Sequence, residues 1–132
     1  METRDVCQTI VFKGSPHDIY EILMDSKKHS QLAGETARIS RKAGGKFRVG
    51  DYIEGENIEL VEDKKIVQSW RGSDWPKDHY SKATFMLHPV SGGTRLTFNQ
   101  TGVPAEFYED IYKGWIDYYW EPIHDMLKKM GV

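Results

Sequence analysis

Five histidines, a band of acidic residues and one cysteine are the side chains of this sequence with reactive or ligating chemistry. His17, His29, His79, His88 and His124 are scattered, with no HExxH and no His/carboxylate pair at ligand spacing on one element. This spacing predicts no metal site. Glu54, Glu56 and Glu59 lie close together. On a strand, however, the first two share a face and the third shows the other, which describes a solvated edge better than a paired acid and base. Cys7 sits inside a strand-like run with no basic residue beside it and is expected to be a buried, inert thiol. As the only cysteine it also excludes an internal disulfide and every multi-cysteine zinc pattern. GxSxG, P-loop and GxGxxG signatures are missing, and Gly44–Gly45 and Gly92–Gly93 read as turn glycines. No nucleophile, base and oxyanion site assemble, so the sequence predicts neither catalysis nor a cofactor.

What the chain does concentrate is aromatic surface. The stretch GWIDYYWEP places Trp115, Tyr118, Tyr119 and Trp120 between Gly114 and Pro122. Advancing 100° per residue from Phe107, the side chains Lys113, Asp117, His124, Asp110, Lys128 and Glu121 fall in one arc between roughly 240° and 320°. The apolar residues, from Phe107 and Tyr118 to Trp120 at the edge, occupy roughly 0° to 220°. An amphipathic helix lying on a sheet needs an apolar stripe of only about 100°. A helix over about 105–130 with twice that width belongs in a groove that wraps it. Rings on one arc and cations on the other are a core pattern rather than a platform for stacking nucleic-acid bases.

The preceding elements supply such a groove. VCQTIVF (6–12) alternates Val6, Ile10 and Phe12 as a strand. Ser15 as N-cap, Pro16 and Asp18 start a helix over 16–24, with Ile19, Ile22 and Leu23 as its stripe. A second helical turn over 26–32 stops at Gly34. From 36 to 101 the pattern is one of antiparallel strands, with a hairpin at Ser91–Gly93 and an apolar phase shift across Gly55 that suggests a bulge there. The order implies an α+β fold, a bent antiparallel sheet gripping one terminal helix. Pro122 is expected to kink that helix, and Gly114 in its interior implies close backbone approach or space for a guest.

At 132 residues the chain is read as one domain, 1–132, able to bury a single core. A formal charge of −2 gives no field toward nucleic acid or anionic lipid. The opening METRDVCQTIVF is too charged for a signal peptide, and no stretch reaches spanning length, so membrane insertion is not expected and the cytoplasm is the default.

The runs GGKF (44–47), YIEGENIELVEDKKIVQSWRGSDWP (52–76), HYSKATF (79–85), LTFNQTGVP (96–104) and GWIDYYWEPI (114–123) resemble the activator of heat-shock protein 90 ATPase homologue family, specifically the co-chaperone's C-terminal domain. That family sits in the START and Bet v 1-like superfamily with the helix-grip fold. Two departures stand out. The co-chaperone's N-terminal domain has no counterpart here, and Gly50-Asp51 replaces the family's frequent Asp-Gly. The resemblance implies a final helix closing the mouth of a curved sheet, with the space between them as the usual ligand cavity. It also implies two partners, an apolar small molecule or lipid and a weakly bound heat-shock protein 90. The superfamily's cyclase or hydrolase chemistry and a purely protein-interaction role are the alternatives.

Two arrangements are then open. Trp115, Tyr119, Tyr112 and Ile123 either fill the space completely or wall an apolar pocket with tyrosine hydroxyls as polar anchors. In the second case the implied lining adds Tyr108 from the helix and Trp70, Trp75, Phe85 and Phe98 from the sheet side. Ser81 and Ala83, being small, would leave room at one end.

Overall fold

The computed structural model describes residues 1–132. Seven antiparallel strands form one sheet in the order β1-β7-β6-β5-β4-β3-β2. They are β1 (Thr3–Phe12), β2 (Ala37–Ile39), β3 (Lys46–Val49), β4 (Ile53–Val61), β5 (Lys65–Gly72), β6 (Ser81–Val90) and β7 (Gly93–Pro104). Helices α1 (Pro16–Met24) and α2 (Ser26–Ala33) follow β1. A short 3-10 turn (Ala105–Phe107) leads into the final helix. That helix has three parts: α3 (Tyr108–Trp115), a π turn (Ile116–Trp120) and α4 (Glu121–Lys129). This is the α+β helix-grip arrangement.

Local chemistry accounts for the starts and stops. Ser15 and Asp18 form a reciprocal capping box with Pro16 in the first turn of α1. The Asp25 side chain caps α2 by accepting from the Lys28 N–H at 2.9 Å, and Gly34 ends it at φ 70°. On the concave face, Ser81, Ala83, Phe85 and Leu87 of β6 alternate inward, as do Thr94, Leu96, Phe98 and Gln100 of β7. These residues meet the helix.

The phase change in β4 is present but sits three residues beyond the expected point. Register shifts between Asn57 and Glu59, while Gly55 pairs regularly with Phe47 and Trp70. Ile58 is the extra residue and is exposed. Gly55 serves a different purpose, because a Cβ there would lie 1.8 Å from the Ser69 carbonyl oxygen. Only glycine allows β4 and β5 to approach that closely.

Three further expectations are corrected. Cys7 is exposed rather than buried, because alternation turns it away from Val6 onto the uncovered convex face of an edge strand. Trp120, expected at the rim, is 2% exposed, and Tyr118, expected on the apolar arc, is 70% exposed. Both reversals follow from the π turn. Pro122 has no N–H to donate, and its ring would strike the carbonyl of residue 118 in a regular helix. Widening the preceding turn removes that clash without a sharp bend. One extra residue per turn retards everything after it by about 100°. Trp120 thereby moves from about 220° to about 120°, beside Trp115, while Tyr118 moves into the polar arc.

Buried and half-buried side-chain hydrogen bonds fix this phase. Trp115 Nε1 donates to Gln100 Oε1 at 2.7 Å, Gln100 Nε2 donates to Ser81 Oγ at 2.9 Å, and Ser81 Oγ donates to the Trp70 carbonyl at 2.8 Å. One relay thus ties the helix to β7, β6 and β5. A second ties it to β1: Trp120 Nε1 donates to Gln8 Oε1 at 2.7 Å, and Gln8 Nε2 donates to the Tyr112 carbonyl at 3.0 Å.

Candidate functional site

Between the helix and the middle of the sheet the rings interlock. Trp115 is 3% exposed, with ring centroids 4.4 Å from Phe98, 4.6 Å from Tyr119, 5.7 Å from Phe85 and 5.8 Å from Trp70. Only a 20 Å³ void remains there, bordered by His29, Phe47, Trp70, Phe85, Trp115 and Tyr119 among others. That is room for about one water molecule, not a ligand. Ser81 does not leave space at its end of the groove, because its hydroxyl is occupied in the relay described above.

Where packing stops, along the N-terminal half of the helix, an open groove of 460 Å³ begins. Its volume is that of an ordinary small-molecule site. One wall is helical, from Asp110, Ile111, Gly114 and Trp115 of α3 with Tyr118 and Tyr119 of the π turn. The other comes from Val49, Tyr52 and Ile53 around the β3–β4 turn and from Trp70 on β5, with Ala33 and Glu35 at the end of α2. Gly114 opens the helical wall. A Cβ there would have nothing nearer than Tyr118 Cδ2 at 3.8 Å, so space toward the groove, not close backbone approach, is what this glycine provides.

Two tyrosines carry the polar chemistry. Burial, and then the neighbouring Asp74 carboxylate, push Tyr52 up to about 12. Burial, reinforced by the Glu35 charge, raises Tyr119 well above its ordinary value. Both therefore stay neutral at physiological pH. Beneath the groove, His29 Nδ1 lies 2.9 Å from the Leu23 carbonyl oxygen, which requires the proton on Nδ1. Nε2 then accepts from the Tyr119 hydroxyl at 2.9 Å. Burial lowers the His29 pKa, outweighing the opposing pull of the Leu23 carbonyl. A neutral histidine and two un-ionised phenols form a set of anchors, not an acid–base pair facing a nucleophile.

Of the residues expected at a cavity, Trp70, Trp115 and Tyr119 wall the groove, and Phe85 joins them only around the small void. Trp75 packs behind Trp70 and stacks on Phe107. Ala83, Phe98 and Ile123 are sealed in the interior. Tyr108 and Tyr112 are half-buried away from the groove, Tyr108 beneath the Arg4 guanidinium, 3.8 Å from its ring centroid. Sequence reasoning missed Ala33, Glu35, Val49, Tyr52, Ile53, Asp110 and Ile111. The spacing of Asp110, Gly114 and Tyr118, each four apart on a helix, was the available signal.

One group of ligating side chains does gather across elements, although none shares an element at ligand spacing. His17 of α1 and Glu62–Asp63 of the β4–β5 turn bring one ligand atom each within 4.8 Å of one another. All three are at the surface, and the His17–Asp63 contact at 2.9 Å raises the His17 pKa, so a proton competes for that position. No helix is long and apolar enough to cross a membrane.

Residues 13–128 match the family described as activator of Hsp90 ATPase homolog 1-like protein. Human activator of 90 kDa heat shock protein ATPase homolog 1 is 32% identical over 113 residues, which are 85% of this chain and 33% of that protein. The activator homolog of Dictyostelium discoideum is 33% identical over 107 residues, 79% of this chain and 28% of that one. The chain thus spans about a third of the length of the curated relatives it matches. Among solved structures, an HSP90 activator from Plasmodium falciparum superposes with a TM-score of 0.87 at 26% identity, covering 94% of this chain and 96% of that chain. A protein from Mesorhizobium loti shares the fold at a TM-score of 0.84 and 19% identity, covering 96% of this chain and 98% of that chain.

Proposed function

The chain belongs to the activator of Hsp90 ATPase homolog 1-like family, and on that premise we propose that it acts as a non-catalytic, co-chaperone-like partner of a heat-shock protein 90 ATPase. The observation that carries this reading is the end-to-end match to the Plasmodium falciparum chain described as an HSP90 activator, a domain of the same size and shape. The filled interior agrees with a domain that works through its surface. This domain by itself, which matches about a third of the longer relatives, is expected to associate weakly and to stimulate the ATPase only slightly. A net charge of −2 adds no strong long-range steering, which agrees with weak association, and the salt dependence expected is that of charged contacts at the interface itself. Isothermal titration against full-length heat-shock protein 90 at low and physiological salt tests this. Weak binding that fades with salt is expected, and no binding even at low salt would remove the reading.

A second reading is favoured by the 460 Å³ groove with its apolar walls and the helix glycine that opens it. Here the domain holds an apolar small molecule at the mouth between helix and sheet rather than in the interior. Native mass spectrometry of the protein purified from its own host would show the retained molecule. An unliganded mass that stays unliganded after incubation with host lipid and metabolite extracts would count against it.

A further inference from the structure

Five of the residues lining the groove are aromatic: Tyr52, Trp70, Trp115, Tyr118 and Tyr119. The only ionisable charges among its lining residues are the carboxylates Glu35 and Asp110, and no lysine, arginine or histidine faces it. We propose that the groove is a site for an organic cation, an alkylammonium or similar amine carrying an apolar body. This inference rests on the groove reading above and gives it a ligand class.

Three observations carry it. Neither Glu35 nor Asp110 takes part in any of the chain's ion pairs, although Arg4, Arg41, Arg48, Arg71 and Lys65 each find a carboxylate elsewhere. Both carboxylates are exposed, so the rim of the groove carries a negative charge that no cation of the chain offsets. The Glu35 carboxylate also lies against the β3–β4 turn, 2.6 Å from the position a Cβ on Gly50 would take, which sets it beside Val49, Tyr52 and Ile53 of the groove. Finally, the two carboxylates come from α3 and from the segment after α2, and each is felt by a ring of the groove, Asp110 by Tyr52 and Glu35 by Tyr119.

Aromatic faces attract cations through the ring quadrupole, and attraction grows as water is excluded. Unpaired carboxylates at the rim add to it within the Debye length. The same arrangement repels a fatty-acid carboxylate or a phosphate, for which the lining offers tyrosine hydroxyls but no positive charge. Selectivity by sign is the signature of this site.

Tryptophan fluorescence titrations with octyltrimethylammonium, octanol and octanoate, each below its micellar concentration, read that signature, since Trp70 and Trp115 report from the wall. The cation is expected to bind about tenfold tighter than octanol, and octanoate more weakly than octanol. The double variant Glu35→Gln/Asp110→Asn, altering two exposed side chains, should lower the cation-to-octanol ratio several-fold, leaving only the part contributed by the rings. Raising the salt should narrow the ratio in the wild type. Octanol binding with no preference for the cation, or a preference for octanoate, would overturn the inference while leaving an apolar groove intact. Failure of all three probes would remove the groove reading and this inference with it.

Discussion

Gly114→Ala should make this protein more stable. Glycine in a helix interior costs about 0.8–1.0 kcal/mol relative to alanine, because it has more backbone freedom to lose on folding. A glycine normally survives such a cost when a side chain would collide with something. Here the added methyl would meet only Tyr118 Cδ2, at the ordinary contact distance of 3.8 Å. The propensity gain is then uncompensated, and the net effect is a stabilisation of about 0.5–1 kcal/mol. For a chain of this length that raises Tm by about 2–5 °C. Urea unfolding with a shared slope, together with thermal melting, measures it. The companion variant Gly114→Leu projects a larger side chain into the groove and should abolish binding of octanol while keeping the fold. A Gly114→Ala protein less stable than wild type would refute the reasoning, because it would place a steric or conformational demand at residue 114 that the geometry lacks.

Trp120→Ala should cost about 3–5 kcal/mol in urea unfolding, as much as Trp115→Ala, since both rings are buried and each indole satisfies a glutamine amide oxygen. A mild Trp120→Ala would mean that the helix keeps a uniform phase without the π turn. For His29, whose folded pKa lies below its ordinary 6.5, the unfolded chain binds the proton more readily. Its contribution to stability is present above about pH 6.5 and is lost as pH falls below that value toward the depressed folded pKa. The wild type should lose stability faster between pH 7 and 5 than His29→Gln, whose amide can still donate to Leu23 and accept from Tyr119; parallel profiles in chemical denaturation would contradict the buried neutral imidazole.

Most of the architecture was legible because it is written locally. Ser15, Pro16 and Asp18 announce α1, Gly34 ends α2, and the alternation of β6 and β7 orients their inner faces. The final helix was legible in extent but not in phase. A helical wheel assumes a constant angle per residue, and Pro122 breaks that assumption four residues upstream of itself, which is why Trp120 and Tyr118 exchange places. Cys7 was misread because alternation tells which way a side chain points, not whether that face is covered. The groove was least legible of all. Glu35, Tyr52, Trp70 and Asp110 belong to four separate segments, and no pattern within any one of them says that the others lie opposite.

The element that fills the curved sheet comes after all seven strands in the chain. At roughly 5–20 residues per second, synthesis delivers the strands well before the helix that covers them. During that interval Phe85, Leu87, Leu96 and Phe98 lack the helix that covers most of their apolar concavity, and the nascent domain is at its most aggregation-prone. Its first strand is available early but pairs with β7, the last strand made, so the sheet too cannot finish ahead of time. Native structure thus arrives as a late, nearly simultaneous event rather than in instalments.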